Sequence, residues 1–293
     1  LKKRKIIGLL IFMIGILIIT YPFFSMSIDD FAQYRKNEEY KKEIKKENNI
    51  TKQIEILRNN KKSKEDLKGN ENRQIKDVFS NQNNKIKEKS DLEKIGIDLN
   101  KKVGFISIPK LGQSFDLYLD ADYKKIAKGV AVLPESDLPI GGDGTRCVIA
   151  GHSGYYNKLM FLNIHKLENN DKILINFMGK ELEYEVYGME KIYPDQSDKL
   201  RSEEGKDILT LLTCTQAPRY NMRLLVNAKR VNKISKIDDN SEISNSSIIK
   251  YISNKNIDFS VKLRKIFPYI VSTVNVILIA LILLKIIRIL KNG

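Results

Sequence analysis

The chain has 293 residues, enough for one substantial domain with accessory segments, and its 51 Lys and Arg outweigh 36 Asp and Glu to leave it at +15. That excess suits nucleic acid, an anionic membrane surface or an anionic wall polymer; no nucleic-acid motif and no basic run interleaved with stacking aromatics is present, which favours lipid headgroups or wall polymer. With only Cys147 and Cys214 the chain is no disulfide scaffold, although one bridge between the two stays open.

Residues 6–28 hold no charge over 23 positions, and a bilayer core takes roughly 20. Lys2, Lys3, Arg4 and Lys5 precede the run and assign that end to the cytoplasm. A cleaved signal peptide is the competing reading, with small residues at Ser25 and Ser27, but the run is long for the apolar region of such a peptide. Residues 1–28 are therefore expected to form an N-terminal transmembrane segment. Residues 29–95 are rich in Lys, Glu, Asn, Gln and Asp, while Tyr40, Ile44, Ile50, Ile54 and Leu57 recur at helical spacing. One or two solvated helices with a thin apolar stripe are expected. They serve either as a stalk or as an appendage folded back over the domain that follows.

From Val103 the pattern changes to short apolar or alternating runs: 103–108, 115–119, 147–150, 172–177, 182–192, 208–214 and 223–229. Gly, Asp, Asn and Pro clusters separate them, which marks strands. Two short helices are expected at 123–127 and 160–167. About eight short strands with few helices predict a mainly β domain over 96–233, closed into a barrel. Residues 234–261 read as a linker. Residues 262–293 contain a second uncharged run of 19, at 266–284, followed by Lys285, Arg288 and Lys291, which reads as a C-terminal transmembrane helix and basic tail. Two spans place both ends inside and the barrel outside; if the first span is removed, the second still anchors the domain.

Two His and two Cys leave four Cys–His pairings. His152 lies between glycines in Ala150-Gly151-His152-Ser153-Gly154, just after a buried-looking strand, where a loop can present it at a barrel rim. His165 falls on the polar side of a short helix and reads as a surface residue. Cys214 ends the run 208–214 and can face a cleft; Cys147 lies within a strand and reads as a small buried apolar group. Arg223 follows Cys214 by nine residues at the start of the next run. In a hairpin partner that spacing brings its guanidinium beside the thiol, where a fixed positive fork can hold a carbonyl oxygen gaining charge. Arg219, in the connecting loop, competes for that role. Residue types alone leave the thiol, imidazole and guanidinium open to structural roles.

Thr210-Leu211-Leu212-Thr213-Cys214, with Arg223 after it and Ala150-Gly151-His152 before it, resembles the sortase signature. Val103-Gly104-Phe105-Ile106-Ser107-Ile108-Pro109-Lys110-Leu111 resembles that family's opening strand. Gly129-Val130-Ala131 and Leu138-Pro139-Ile140-Gly141-Gly142 resemble the loop region that follows. The resemblance covers about residues 100–232. It implies an eight-stranded sortase-type β-barrel and a cysteine transpeptidase. Cys214 would attack an LPXTG-like sorting signal between Thr and Gly, Arg223 would stabilise the oxyanion, and His152 would act as acid and then as base. The partners it implies are proteins bearing sorting signals and an acceptor amine, from a pilin Lys or from the peptidoglycan precursor, on the outer face of a Gram-positive cell membrane. No cofactor and no metal are expected.

The flanking segments make the architecture most similar to class C, the pilus-assembling sortases. The Asp-Pro-aromatic lid tripeptide common in that class is absent. Asp77-Val78-Phe79 stands at a comparable distance before the opening strand, and as a degenerate lid it would pair Asp77 with Arg223 and lay Phe79 over Cys214. The loops at 153–156 and 216–220 also depart from the class C pattern. The alternatives are a sortase of another class that anchors single surface proteins, and a non-catalytic membrane-tethered scaffold in which Cys214 is buried or bridged to Cys147.

Overall fold

A computed structural model describes residues 2–46, 56, 77–79, 97–155, 158–215, 221–231, 257 and 259–291. The expectations for Ile50, Ile54 and Leu57, for Arg219, and for most of the linker at 234–261 lie outside the described residues. Contacts divide the chain into two compact units. One comprises residues 1–32, 156–158 and 254–293; the other comprises residues 33–155 and 159–253.

The second unit contains a closed barrel of eight strands. They are β1 (Gly104–Ile108), β2 (Gln113–Tyr118), β3 (Val130–Val132), β4 (Thr145–Ala150), β5 (Lys172–Phe177), β6 (Lys180–Ile192), β7 (Asp207–Cys214) and β8 (Arg223–Arg230). Around the barrel they run β1-β2-β3-β4-β7-β8-β6-β5. The β2/β3 and β4/β7 pairs are parallel and the others antiparallel. Closure leaves no open edge. Tyr184, Phe161, Phe177, Ile106, Leu117 and Ile149 are fully buried and dominate the filling.

The eight-stranded barrel expected from the sequence is present, with one difference in detail. Val130 and Ala131, assigned to a loop region above, begin β3, which pairs in parallel with β2 and antiparallel with β4. Three residues, all buried, are too few to show an alternating pattern. A short helix, α2 (Tyr123–Lys128), joins β2 to β3; Asp122 caps it by accepting from the Lys125 amide at 2.9 Å. Residues Met160–Lys166 form a 3₁₀ turn rather than an α-helix.

The long helix α1 (Lys2–Lys46) contributes its last turns to this unit. Gln33 Nε2 donates to Asp116 Oδ1 at 2.8 Å, and Asn37 Nδ2 donates to Ser114 Oγ at 2.8 Å. The buried Tyr40 ring meets Phe105 edge-on, with centroids 6.4 Å apart. Gly179, at φ +81°, lets Ile44 approach to where a Cβ would lie 2.5 Å from its Cγ2. The last turns of this helix thus lie against β1 and β2, with polar bonds to Ser114 and Asp116 and the Tyr40 ring on Phe105.

In the other unit, the first part of α1 and the helix α3 (Phe259–Lys291) are both long and apolar enough to cross a membrane. Large side chains such as Ile11, Ile18, Leu281 and Leu284 stand exposed. Hydroxyls along both helices turn back onto their own backbone: Thr20 Oγ1 donates to the Ile16 carbonyl at 2.7 Å and Ser272 Oγ to the Pro268 carbonyl at 2.7 Å. Phe23 and Phe267 meet edge-on at 5.6 Å.

Removing the Tyr40 ring should loosen the seated end of α1. A buried aromatic replaced by alanine costs about 3 kcal/mol, and each 1.4 kcal/mol is about a decade in an opening equilibrium. Tyr40→Ala should therefore speed tryptic cleavage after Lys41 and Lys42 by roughly two orders of magnitude. Cleavage at the wild-type rate would mean that the helix is not held by this contact.

Candidate active site

Strand β7 lies between β4 and β8, and these two pairings assemble the site. Parallel to β4, it sets Ala150 opposite Leu212, and the Gly151 amide extends the ladder by donating to the Leu212 carbonyl at 3.0 Å. His152 follows at once. Its carbonyl accepts from the Phe161 amide at 2.8 Å. Gly151 has to be glycine here, because a Cβ would sit 2.8 Å from the Phe161 ring and 3.0 Å from Val130 Cγ1. Antiparallel to β8, β7 sets Cys214 opposite Arg223. The Thr215 amide continues that ladder to the Met222 carbonyl at 3.1 Å. The rim of the barrel where β4 and β7 end and β8 begins therefore carries His152, Cys214 and Arg223.

Both cysteines are free thiols, Cys147 buried and Cys214 half-buried. The bridge weighed for the scaffold alternative is not formed. Burial pushes the Cys214 thiol above its ordinary value; Arg223 pulls it down, and Asp77 pushes it up again. His165 is exposed on the turn at 160–166.

Arg223 is buried and clasped by Asp77 through two bonds, Nε to Oδ1 at 2.9 Å and Nη2 to Oδ2 at 2.6 Å. Its Nη1 donates to the Met222 carbonyl at 3.1 Å. Burial works against the guanidinium charge, but the Asp77 hydrogen bonds and the nearby Cys214 outweigh it, so the net displacement is upward. This two-pronged fit of fork to carboxylate is the strong form of an ion pair. The Arg223 guanidinium lies over the Phe79 ring at 5.2 Å, and the His152 ring lies 6.0 Å away. Val78 and Phe79 pack on an apolar cluster that includes Ile126, Leu133, Val148, Ile192, Leu200 and Leu212.

Sequence reasoning missed two sets of residues. Tyr155 stacks on His152 at 4.7 Å and 14°, and Tyr123 meets it edge-on at 5.3 Å. The doubled tyrosine at 155–156 was the available signal, read only as a departure from the class C pattern. The second set is a buried polar row below the thiol. Arg146 Nη1 donates to Thr210 Oγ1 at 3.0 Å and to Asn227 Oδ1 at 3.2 Å, while Nη2 reaches Glu203. An arginine inside an apolar strand was its signal. No group of His, Cys, Asp and Glu among the described residues could hold a metal ion.

A family model described as Sortase domain matches residues 106–231. A solved pilus-related Sortase C of Group B Streptococcus is 30% identical, with 67% of this chain and 96% of that one covered, at a TM-score of 0.56. The chain belongs to the sortase family. Sortase C1 of the Group B Streptococcus Pilus Island 1 is 26% identical, with 70% and 99% covered and a TM-score of 0.60. Among curated proteins, Sortase A of Streptococcus agalactiae serotype III (strain NEM316) is 23% identical over 159 residues, or 52% of this chain. The chain spans 60% of the length of that relative.

The arrangement around Arg223 sets an expectation for the thiol. Removing Asp77 withdraws one upward push on Cys214 and leaves the downward pull of Arg223, and removing Phe79 with it takes away the ring packed on Arg223 and near His152. The thiolate fraction below the thiol's titration point rises about tenfold for each unit of lowering. Asp77→Ala with Phe79→Ala should therefore raise the rate of Cys214 alkylation by iodoacetamide at pH 7 and move its pH profile toward acid. An unaltered rate and profile would show that residues 77–79 do not control the thiol.

Proposed function

We propose that this chain is a membrane-anchored cysteine transpeptidase. It cleaves an LPXTG-like sorting signal between Thr and Gly and transfers the Thr carbonyl to an amine, a pilin Lys side chain in pilus polymerisation. The observation that carries this reading is the cross-strand pairing of Cys214 with Arg223 on the rim that also bears His152. The likeness to solved pilus-related sortases supports the pilin acceptor. The two exposed apolar helices, whose hydroxyls are satisfied within the helix, support anchoring with the barrel outside.

In this mechanism the Cys214 thiolate forms a bond to the Thr carbonyl carbon. The carbonyl pair moves onto oxygen, and the guanidinium of Arg223 stabilises that charge. The C–N bond breaks as the imidazolium of His152 gives its proton to the departing Gly amine, leaving a thioester. The neutral imidazole then takes a proton from the incoming amine, which attacks the thioester, forms an isopeptide bond and releases the thiolate. Asp77 and Phe79 act as a lid. While Asp77 occupies the Arg223 fork, no oxyanion can use it.

Incubating the full chain in detergent with an LPXTG-type peptide and either a pilin-derived Lys peptide or a peptidoglycan-precursor amine tests the reaction and its acceptor. Cys214→Ala should abolish turnover. Arg223→Lys keeps charge but loses the fork, and should cut kcat by about 10²-fold, the scale for losing an oxyanion donor. Turnover by the Cys214→Ala variant would refute the mechanism. Transfer to the precursor amine alone would assign the chain to single-protein anchoring.

A further inference from the structure

Three rings from three separate segments enclose the His152 imidazole. Tyr155, three residues along the same loop, lies nearly parallel to it at 4.7 Å and 14°. Tyr123, at the start of α2, meets its edge at 5.3 Å and 76°. The two tyrosines also brace each other at 6.3 Å and 78°. Phe79 closes a third side at 6.0 Å. A parallel ring resists tilting of the imidazole plane, and a perpendicular ring resists rotation within it, so the pair fixes the orientation more fully than either would. His152 Nε2 is buried and has no hydrogen-bond partner among the described residues. An orphaned ring nitrogen is costly to bury, and it belongs to the ring that would exchange a proton in the reaction.

The three walls are not equivalent. Tyr123 belongs to a helix capped by Asp122, and Tyr155 to the loop that follows β4. Phe79 belongs to the segment 77–79, tied to the rim by the Asp77–Arg223 pair and by the packing of Val78 and Phe79 on the apolar cluster. We propose that Tyr123 and Tyr155 are positioning residues for His152, and that Phe79 is the removable third wall whose withdrawal admits water to Nε2. The proposal rests on the reading of His152 as the acid and base of the reaction.

One consequence is a coupling between lid and proton. Burial holds the imidazole below its ordinary value of about 6.5 while Phe79 is in place. The titratable groups on the surrounding elements are Asp122, Tyr123, Lys124, Lys125 and Lys128 on or beside α2, Tyr155 on the loop, Asp77 and Arg223 beyond Phe79, and Cys214 at the end of β7. Asp77 and Arg223 neutralise each other, which leaves desolvation as the main cause. With the wall withdrawn, part of that desolvation is relieved and the imidazole takes up its proton at a higher pH than in the closed form. The open form then binds more protons below that pH, so acid favours opening and opening favours the protonated acid that the first half-reaction needs.

Imidazole NMR titration of the full chain in detergent micelles tests this without any substrate. The chain has only two histidines, so a His165→Gln variant assigns the two imidazole signals. His152 should titrate below the ordinary imidazole value of about 6.5 in the wild type. Phe79→Ala and Tyr155→Ala should each move it up toward that value, and Tyr155→Phe, which keeps the ring, should leave it in place. Where sorting-peptide turnover is measurable, Tyr155→Ala in the Asp77→Ala and Phe79→Ala background should lower kcat about tenfold or more with KM little altered, and Tyr155→Phe should restore it. A wild-type His152 that titrates at the ordinary imidazole value, or a midpoint indifferent to Phe79→Ala, overturns the coupling. A kcat indifferent to Tyr155→Ala overturns the positioning role. Since the titration uses resting protein, its outcome is independent of whether the chain transfers sorting signals.

Discussion

Strand β7 is held on one side by a parallel partner and on the other by an antiparallel one, and the geometry of the rim depends on that arrangement. A parallel neighbour must end where β7 ends; an antiparallel neighbour must begin there. The loop after β4, the last residue of β7 and the first of β8 are thereby brought to one edge, whatever connects them in sequence. The apolar packing fixes the register. Leu211 and Leu212 are buried on opposite faces of the strand, and a slip of one residue would exchange those faces and turn Cys214 away from its present side.

The electrostatics of that edge follow from how it is covered. Burial raises the thiol, lowers the imidazole and opposes the guanidinium charge. Only the guanidinium has a counter-ion close enough to reverse the effect of burial, and that counter-ion is Asp77. The same segment thus satisfies the guanidinium and adds an upward push on the thiol. Covering apolar surface, pairing Arg223 and enclosing His152 are three results of placing three residues, 77–79, on the rim.

Much of the barrel was legible because its strands are short, apolar and punctuated by turn residues. The exception, β3, is three residues long, too short for periodicity, and is defined by its neighbours. The nine-residue spacing that suggested a hairpin between Cys214 and Arg223 corresponds to a direct cross-strand pair. Cys147 and His165 also lie where residue type and context put them, one buried and one exposed. The ring partners of His152 were not legible, since Tyr123 and Phe79 are brought to it by long-range folding and neither carries a local signal. Nor was the seating of α1. Asn37 and Tyr40 look like parts of a solvated stripe until Ser114 and Phe105 are placed beneath them.

The two bonds from Arg223 to Asp77 have a meaning beyond charge balance. A carboxylate is planar and carries two oxygens, so it fills the guanidinium fork more completely than the single oxygen of a tetrahedral adduct can. On the proposed mechanism, Asp77 is in effect a competitive ligand built into the chain, present at the high effective concentration that a tether confers. A dilute peptide meeting the enzyme in solution contends with that occupant at a disadvantage. A substrate itself confined to the same surface does not, because its own local concentration is of the same order. On that mechanism the ion pair would act as a filter on where a substrate comes from as well as on what it is.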